Sequence, residues 1–563
     1  MRFVKKVIAE DRFAVVGTVL ALSAILFLFL LPLFGNGIPK THDSVAQIAR
    51  FSAYYQSIRD GQIPPRWAGN LNYGFGSPVL SFFYPLAGYL ASIVYATGLF
   101  SLEAVFKLLL GIFFVGCGLS FFFWQRKSGT PIAILGALLY SLSPYQFINL
   151  YVRGDIGELA ASCFAPLVLW AVDESAEKTH QAAFLWGGLF IGLLILSHNI
   201  ASIMFLAVIG LYTVYIFSSL GNEKRLRFVI RVSGMFLLGF GLSAFFWLPA
   251  FVERKYTLGT LFVGSMYQNH FLTLPSLIVK PWGFAPDVAK PGGLSPQLGV
   301  GGTLIIITLF ILFATRKVQK KSAVVFWTVI FIIGVILTVP ISTIVWKMLP
   351  LIAMFQFPWR FFLIINLSSA AIIVELVKAL KFKRRILYVL SAVAVVSTFP
   401  FLKVNGYETH ADEYYHTYTG TTYFHGQTTP VWTAGDAGAF AKSPVEVIGG
   451  KGIVALLLKK SNLHVVQVMA SEKVTILDNT VYFPGWRIYD ENTKAEIPIQ
   501  FQDPNHRGLI TFSSSPGIHT ITVAFTRTKI RTIGELISIC SLFVVLVYWA
   551  YLLPRKKQYR KIT

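Results

Sequence analysis

The chain has 563 residues, of which 55% are hydrophobic and only 13% charged, and it carries a formal net charge of +23 with a mean hydropathy of +0.63. Soluble domains hold about 25% charged residues, so this composition excludes a soluble globular fold. The basic excess sits in short blocks between apolar runs, which is the pattern of cytoplasmic loops, and no basic stripe interleaves with exposed aromatics as a nucleic-acid groove requires.

Apolar runs long enough to cross a hydrocarbon core about 30 Å thick recur along the chain. The first, Phe13–Phe34, follows Arg2, Lys5 and Lys6. It is too long for the apolar region of a signal peptide and no small-x-small cleavage site follows, so it is expected to remain as a membrane helix. The next stretch reads Thr41-His42-Asp43-Ser44, then an expected amphipathic helix over Val45–Arg59, then Ile63-Pro64-Pro65-Arg66-Trp67.

Charge fixes which runs cross. The basic blocks are Arg126-Lys127, Lys224–Arg231, Arg316–Lys321, Lys378–Arg385 and Arg555–Lys561. With the N-terminus inside, all of them fall outside if every apolar run spans, against the positive-inside rule. One earlier run must fail to cross. Val79–Phe100 is the candidate, because it holds Pro85, Gly88, Gly98 and three interface-loving tyrosines, Tyr84, Tyr89 and Tyr95. The remainder predicts about twelve spanning helices with both termini cytoplasmic. The stretches Gly35–Pro78, Ile148–Gly157, Ser197–Asn199, Glu253–Gly299, Pro340–Trp359 and Lys403–Lys529 then face outward.

Lys403–Lys529 differs in kind. It is polar, alternates in Leu463–Val468 and His519–Phe525, and carries turn signals at Pro484-Gly485, Pro504-Asn505, Arg507-Gly508 and Pro516-Gly517. That predicts an extracytoplasmic β-sandwich, returned to the inside by a last helix, Ile533–Leu553. The expected division is a transmembrane domain over 1–402, a β-rich domain over 403–531, and a final helix with basic tail over 532–563. Cys117, Cys163 and Cys540 lie in apolar segments and read as small buried hydrophobes, with no disulfide framework or zinc spacing.

Ionisable residues at the outer helix ends converge on one face: His42, Asp43, Arg66, Arg153, Asp155, Glu158, His198, Glu253 and Arg360, with Trp359 beside the last. Each also has a structural reading. Asp43 can cap the helix that follows; Asp155 and Glu158, spaced i and i+3, can form a capping pattern; His198 can be a satisfied turn residue; Arg360 can snorkel and Trp359 can join an aromatic belt. Their chemistry as a group is more specific. A carboxylate can serve as general base toward an acceptor hydroxyl, further carboxylates can orient that acceptor or hold a hard cation, and a planar guanidinium suits phosphate.

The run His42-Asp43, Arg50, Gly61-Gln62-Ile63-Pro64-Pro65-Arg66-Trp67 and Asn72-Tyr73-Gly74-Phe75-Gly76 resembles the bacterial membrane proteins labelled 6-pyruvoyl-tetrahydropterin synthase-related, and is similar to the YfhO-like proteins. Both groups belong with the GT-C membrane glycosyltransferases. The resemblance continues through Arg153-Gly154-Asp155 with Glu158, Ser197-His198-Asn199, Phe357-Pro358-Trp359-Arg360, Tyr482-Phe483-Pro484-Gly485-Trp486 and Thr528–Ser541. Nothing in the chain offers the histidine set of the soluble zinc enzymes that share the pterin label.

The resemblance implies a GT-C-like, polytopic all-α membrane protein with juxtamembrane helices in the first outer loop. It implies sugar transfer from a polyprenyl-phosphate donor to a cell-envelope glycan, lipid or protein acceptor. Asp43 takes the place of the catalytic acid, with Asp155 and Glu158 behind it. His42, Arg66, Arg153, His198, Trp359 and Arg360 are the substrate-binding candidates, Arg360 first for the phosphate. The Asp-x-x-Glu spacing departs from the Asp-x-Asp or Glu-x-Asp pair of metal-using members, so a divalent cation, Mg or Mn on Asp43, Asp155 and Glu158, stays an open expectation. Two other functions compete. A transporter or lipid-linked-saccharide flippase needs polar groups deep in the helices, where Glu375 is the chief intruder, near the inner end. A scaffold presenting a glycan-binding sandwich does not account for the acidic cluster.

Overall fold

The structure, a computed structural model, describes residues 2–177, 182–259, 263–315, 322–423 and 426–562, with side chains described among these from residue 13 to residue 550 except at 263, 300, 301, 309, 312 and 313. The basic block Arg316–Lys321 lies outside the described residues.

Most of the chain is helical. Among the described residues, six helices are each long and apolar enough to cross a membrane, or up to nine if each of three bent pairs is one span. A total of about twelve requires Phe13–Leu28 and Ala183–Ser197, both shorter, and Gly299–Thr315 to cross as well. The bends have local causes. Thr130–Ser141 and Pro144–Arg153 meet at 47°, and Ser322–Thr338 and Pro340–Met348 at 86°; in both, the second piece begins with a proline that lacks the N–H needed to continue the first. Asn222–Leu242 turns by 69° into Ala244–Tyr256, so the apolar run Val232–Pro249 is broken at Ser243 and is not one straight span.

Val79–Phe100 forms a 3-10 turn over Pro78–Ser81 and a helix over Leu86–Tyr95 only. Ten residues rise about 15 Å, half of a hydrocarbon core, so this piece is too short to cross. It packs against the helix Ser44–Arg59, Gly88 lying directly under the Tyr54 ring.

The helices are not equivalent. Pro358–Leu380 is 83% buried and Lys529–Ala550 only 6%, so the first is the central post of the bundle and the second its outermost element. Arg360 stands at the start of that central post, which fixes its position against everything around it.

The strands of the C-terminal region run from Val445 to Phe525 and form two antiparallel sheets. One has three strands, Val445–Gly449, Val474–Val481 and Leu509–Ser514, in that spatial order. The other has five, in the order Gly452–Lys460, Leu463–Ala470, Gly517–Phe525, Trp486–Asp490 and Glu496–Ile497. The alternating segments Leu463–Val468 and His519–Phe525 are thus neighbours, with Val466 opposite Ile521. Val466, Val468, Ile476, Ile488, Phe512, Ile521 and Val523 fill the space between the sheets.

Trp67, from the first loop, completes that core. It is 1% exposed and packs edge-on to Trp486 at 5.4 Å. Around it, Asp60 accepts the Ser461 N–H at 2.7 Å and Gln62 donates to Ser461 Oγ at 2.9 Å. The Ile63–Trp67 motif therefore binds the sandwich to the first loop. A second tie is the two-residue strand pair Ile38–Pro39 with Tyr407–Glu408. A third is ionic: Arg531, on the last helix, is fully buried and donates to Glu253 from Nη2 at 2.8 Å and Nε at 3.1 Å.

Candidate active site

The loops Gly35–Pro78 and Ile148–Gly157 are joined by their backbones. His42 N–H donates to Val152 O at 3.0 Å and Asp43 N–H to Arg153 O at 2.9 Å. The close approach needs Gly154, whose left-handed φ of +68° ends the turn of Ile148–Arg153 and where any Cβ would collide with Thr41.

This junction places Asp43 just before Ser44–Arg59, yet its carboxylate does not cap that helix. Thr41 Oγ1 instead accepts the Ser44 N–H at 3.1 Å. The Asp43 carboxylate accepts no hydrogen bond from the described residues. It keeps partial solvent access while protein surrounds it closely. Burial raises its pKa above the ordinary aspartate value, against the pull of the Arg153 charge and with the Asp155 charge adding to the rise.

Asp155 and Glu158 are used differently. Asp155 caps the helix Ile156–Ala176 through the Glu158 N–H at 2.9 Å, and its other oxygen accepts Arg153 Nη2 at 2.5 Å. Glu158 is fully buried and saturated. One oxygen accepts Arg360 Nε at 2.8 Å; the other accepts Arg153 Nη1 and the Tyr145 hydroxyl, each at 2.8 Å. Arg153 also donates to Asn149 Oδ1 at 2.9 Å and lies over the Trp359 ring at 4.9 Å. Arg360 Nη1 donates to Phe355 O and Gln356 Oε1. Trp359 is 3% exposed and stacked on Phe357, so it belongs to the wall of the site and not to an aromatic belt.

His198 is a cap. Its Nδ1 accepts the N–H groups of Ile200 and Ala201 at 3.1 and 3.0 Å, which leaves the proton on Nε2, facing Asp155 Oδ2 at 4.0 Å. Burial pushes its pKa down to about 4. The ring stacks on Tyr84 at 4.9 Å, and the Tyr84 hydroxyl accepts from Gln47 at 2.8 Å.

Two of the expected residues behave differently from the rest. His42 donates from Nε2 to Phe284 O at 2.6 Å, fastening the loop after Pro281 to the site. Arg66 is not with the others: it donates to Phe245 O at 2.8 Å and to Glu535 at 3.1 Å on the last helix. Glu253 is likewise spent on Arg531. Sequence reading left out Tyr145, Asn149, Gln47 and Arg50 as site residues. Their signal was spacing, since 145, 149 and 153 share a helix face, as do 43, 47 and 50.

The acidic set nearest to a metal site is Asp155, Glu158 and His198, whose candidate ligand atoms lie within 4.8 Å of one another; Asp43 is not part of it. These residues do not fit a divalent cation. A metal on His198 Nε2 would move the ring proton to Nδ1, against two amide N–H donors. Glu158 already neutralises two guanidinium groups that would repel the ion.

Helix bundle, appended sandwich and a buried ion-pair network around one uncommitted carboxylate define a polytopic membrane protein with a cluster of ionisable side chains at its helix ends. The chain belongs to the family described as bacterial membrane protein YfhO, whose model matches residues 14–427. An uncharacterised protein from Lactococcus lactis subsp. cremoris (strain MG1363) is 28% identical over 244 residues, which is 41% of this chain and 39% of that relative's length. Among solved structures, the arabinofuranosyltransferase AftD from mycobacteria is similar with a TM-score of 0.44 and 13% identity, over 69% of this chain and 27% of that one.

Proposed function

We propose that the protein is a membrane glycosyltransferase that moves a sugar from a polyprenyl-phosphate donor to an acceptor hydroxyl at the outer face of the cytoplasmic membrane, with Asp43 as general base. The observation that carries this reading is the contrast between three carboxylates. Asp155 and Glu158 are buried and saturated by arginine, tyrosine and backbone donors, whereas Asp43 has partial solvent access, no hydrogen-bond partner among the described residues and a raised pKa. A base needs a free lone pair and a pKa closer to the working pH.

The step balances simply. The acceptor O–H gives its proton to Asp43, the acceptor oxygen bonds to the anomeric carbon, and the bond from that carbon to the phosphate oxygen breaks, the electron pair leaving on the lipid phosphate. Arg153 and Arg360 hold Asp155 and Glu158 in place and keep the wall around Asp43 rigid. Both termini inside and the sandwich outside follow from the charge distribution. Purified protein assayed against a panel of polyprenyl-phosphate sugars should transfer one of them; Asp43→Asn should lose that transfer by about 100-fold or more and still insert in the membrane. Full activity in Asp43→Asn would refute the assignment.

A further inference from the structure

The site contains three buried guanidinium groups, and two are committed. Arg153 is held by Asp155 and Glu158, and Arg360 by Glu158. The third, Arg50, is 6% exposed and has no carboxylate partner among the described residues. Its protein contacts are a long hydrogen bond from Nη1 to Thr422 O at 3.4 Å and stacking over the Phe83 ring at 4.2 Å. A buried arginine is almost always paired, because desolvating the charge costs several kcal/mol. This one is charged, stacked for orientation and left with most of its donors unused.

Its surroundings are also unfinished. Thr422, which supplies the one carbonyl, has a left-handed φ of +62° and a buried hydroxyl with no partner among the described residues. Buried polar groups without partners are uncommon and point to something that completes them. Arg50 stands two turns along the helix that begins just after Asp43, with Gln47 between, about 10 Å along the axis. Its charge reaches Asp43, Tyr84 and Tyr54, whose ionisation it favours.

We propose that Arg50 is the oxyanion-binding residue of this site and takes the phosphate of the lipid-linked substrate, with Thr422 beside it. This rests on the reading of Asp43 as base, and it moves the phosphate from Arg360, whose Nε is held by Glu158 and whose Nη1 is held by Phe355 O and Gln356 Oε1, to an arginine with no carboxylate partner among the described residues. The planar fork donates two parallel hydrogen bonds to a phosphate.

The test uses the full chain purified in detergent, with farnesyl phosphate, farnesol and inorganic phosphate as probes and the thermal unfolding midpoint as readout. Farnesyl phosphate should raise the midpoint of the wild type saturably, and farnesol should not. Arg50→Gln should weaken that apparent affinity by about tenfold or more, the loss of a charge-assisted pair. Arg50→Lys, which keeps the charge and guards against a folding defect, should weaken it by a smaller factor. Protection by inorganic phosphate as well would show that the site reads phosphate alone; protection by farnesyl phosphate only would show that it reads a lipid headgroup. Unchanged affinity in both Arg50 variants, or no protection of the wild type by either phosphate, overturns the proposal. Asp43→Asn separates the two claims: it should keep the protection and lose transfer. Full transfer there would sink the base and leave the Arg50 site standing.

Discussion

Arg360 donates from Nε to Glu158 Oε1 at 2.8 Å across 202 positions of sequence, and both residues are almost wholly withdrawn from solvent. The pair joins the central helix to the first turn of the helix Ile156–Ala176, and Arg153 and Tyr145 close it from the other side. Each charge in this pair depends on the other for its compensation.

Removing one partner leaves a buried charge uncompensated. Glu158→Ala and Arg360→Met should each destabilise the protein by about 3–5 kcal/mol. The double variant should cost clearly less than the two together, because neither charge is then stranded. Thermal unfolding in detergent measures this. Simple additivity would show that the pair is not coupled.

Trp67 should govern docking of the sandwich. Trp67→Ala empties a site between Trp486 and Phe525 and should cost about 3–5 kcal/mol. Limited proteolysis should then release the region 445–525 faster than in the wild type. An unchanged digestion pattern would show that the other ties suffice.

His198 sets an acid limit. Its folded pKa, about 4, lies below its ordinary 6.5. A histidine kept neutral by burial contributes stability that is present above pH 6.5 and lost as pH falls from there toward 4. His198→Asn, which can still cap the helix, should flatten the unfolding midpoint over that range. The wild-type slope persisting in the variant would assign it elsewhere.

The hydrogen bonding at Asp155, Glu158 and His198 predicts that a chelator leaves the unfolding midpoint unchanged and that Mg or Mn does not raise it. A midpoint raised by either ion in the wild type and not in Asp155→Asn would contradict this.

The apolar helices and the strand alternation were legible because both are periodic patterns within short windows. The failure of Val79–Phe100 to form a spanning helix was legible from charge parity together with its proline and glycines. What escaped depends on partners far away in the chain. Arg66 looked like a site residue, and nothing near it reveals Glu535, 469 positions on. His198 stood among the substrate-binding candidates, and its capping role depends on the extended backbone it adopts before Asn199. Asp43 looked like a cap, and Thr41, two residues earlier, takes that task. Arg50 was visible in the motif, but its lack of a partner is a property of the folded site alone.

The base assignment is tested most directly by pH and a single variant. The Asp43 carboxyl has a pKa raised above 3.8, so its ionised form is disfavoured in the folded protein: the associated stability is full below pH 3.8 and declines as pH rises through the raised value. Asp43→Asn should therefore unfold at a higher temperature than wild type at pH 7, with the difference vanishing below pH 3.8, while its sugar transfer is lost. A variant that transfers sugar normally, or that is no more stable than wild type at pH 7, would contradict the account of Asp43 as a desolvated, unpaired base.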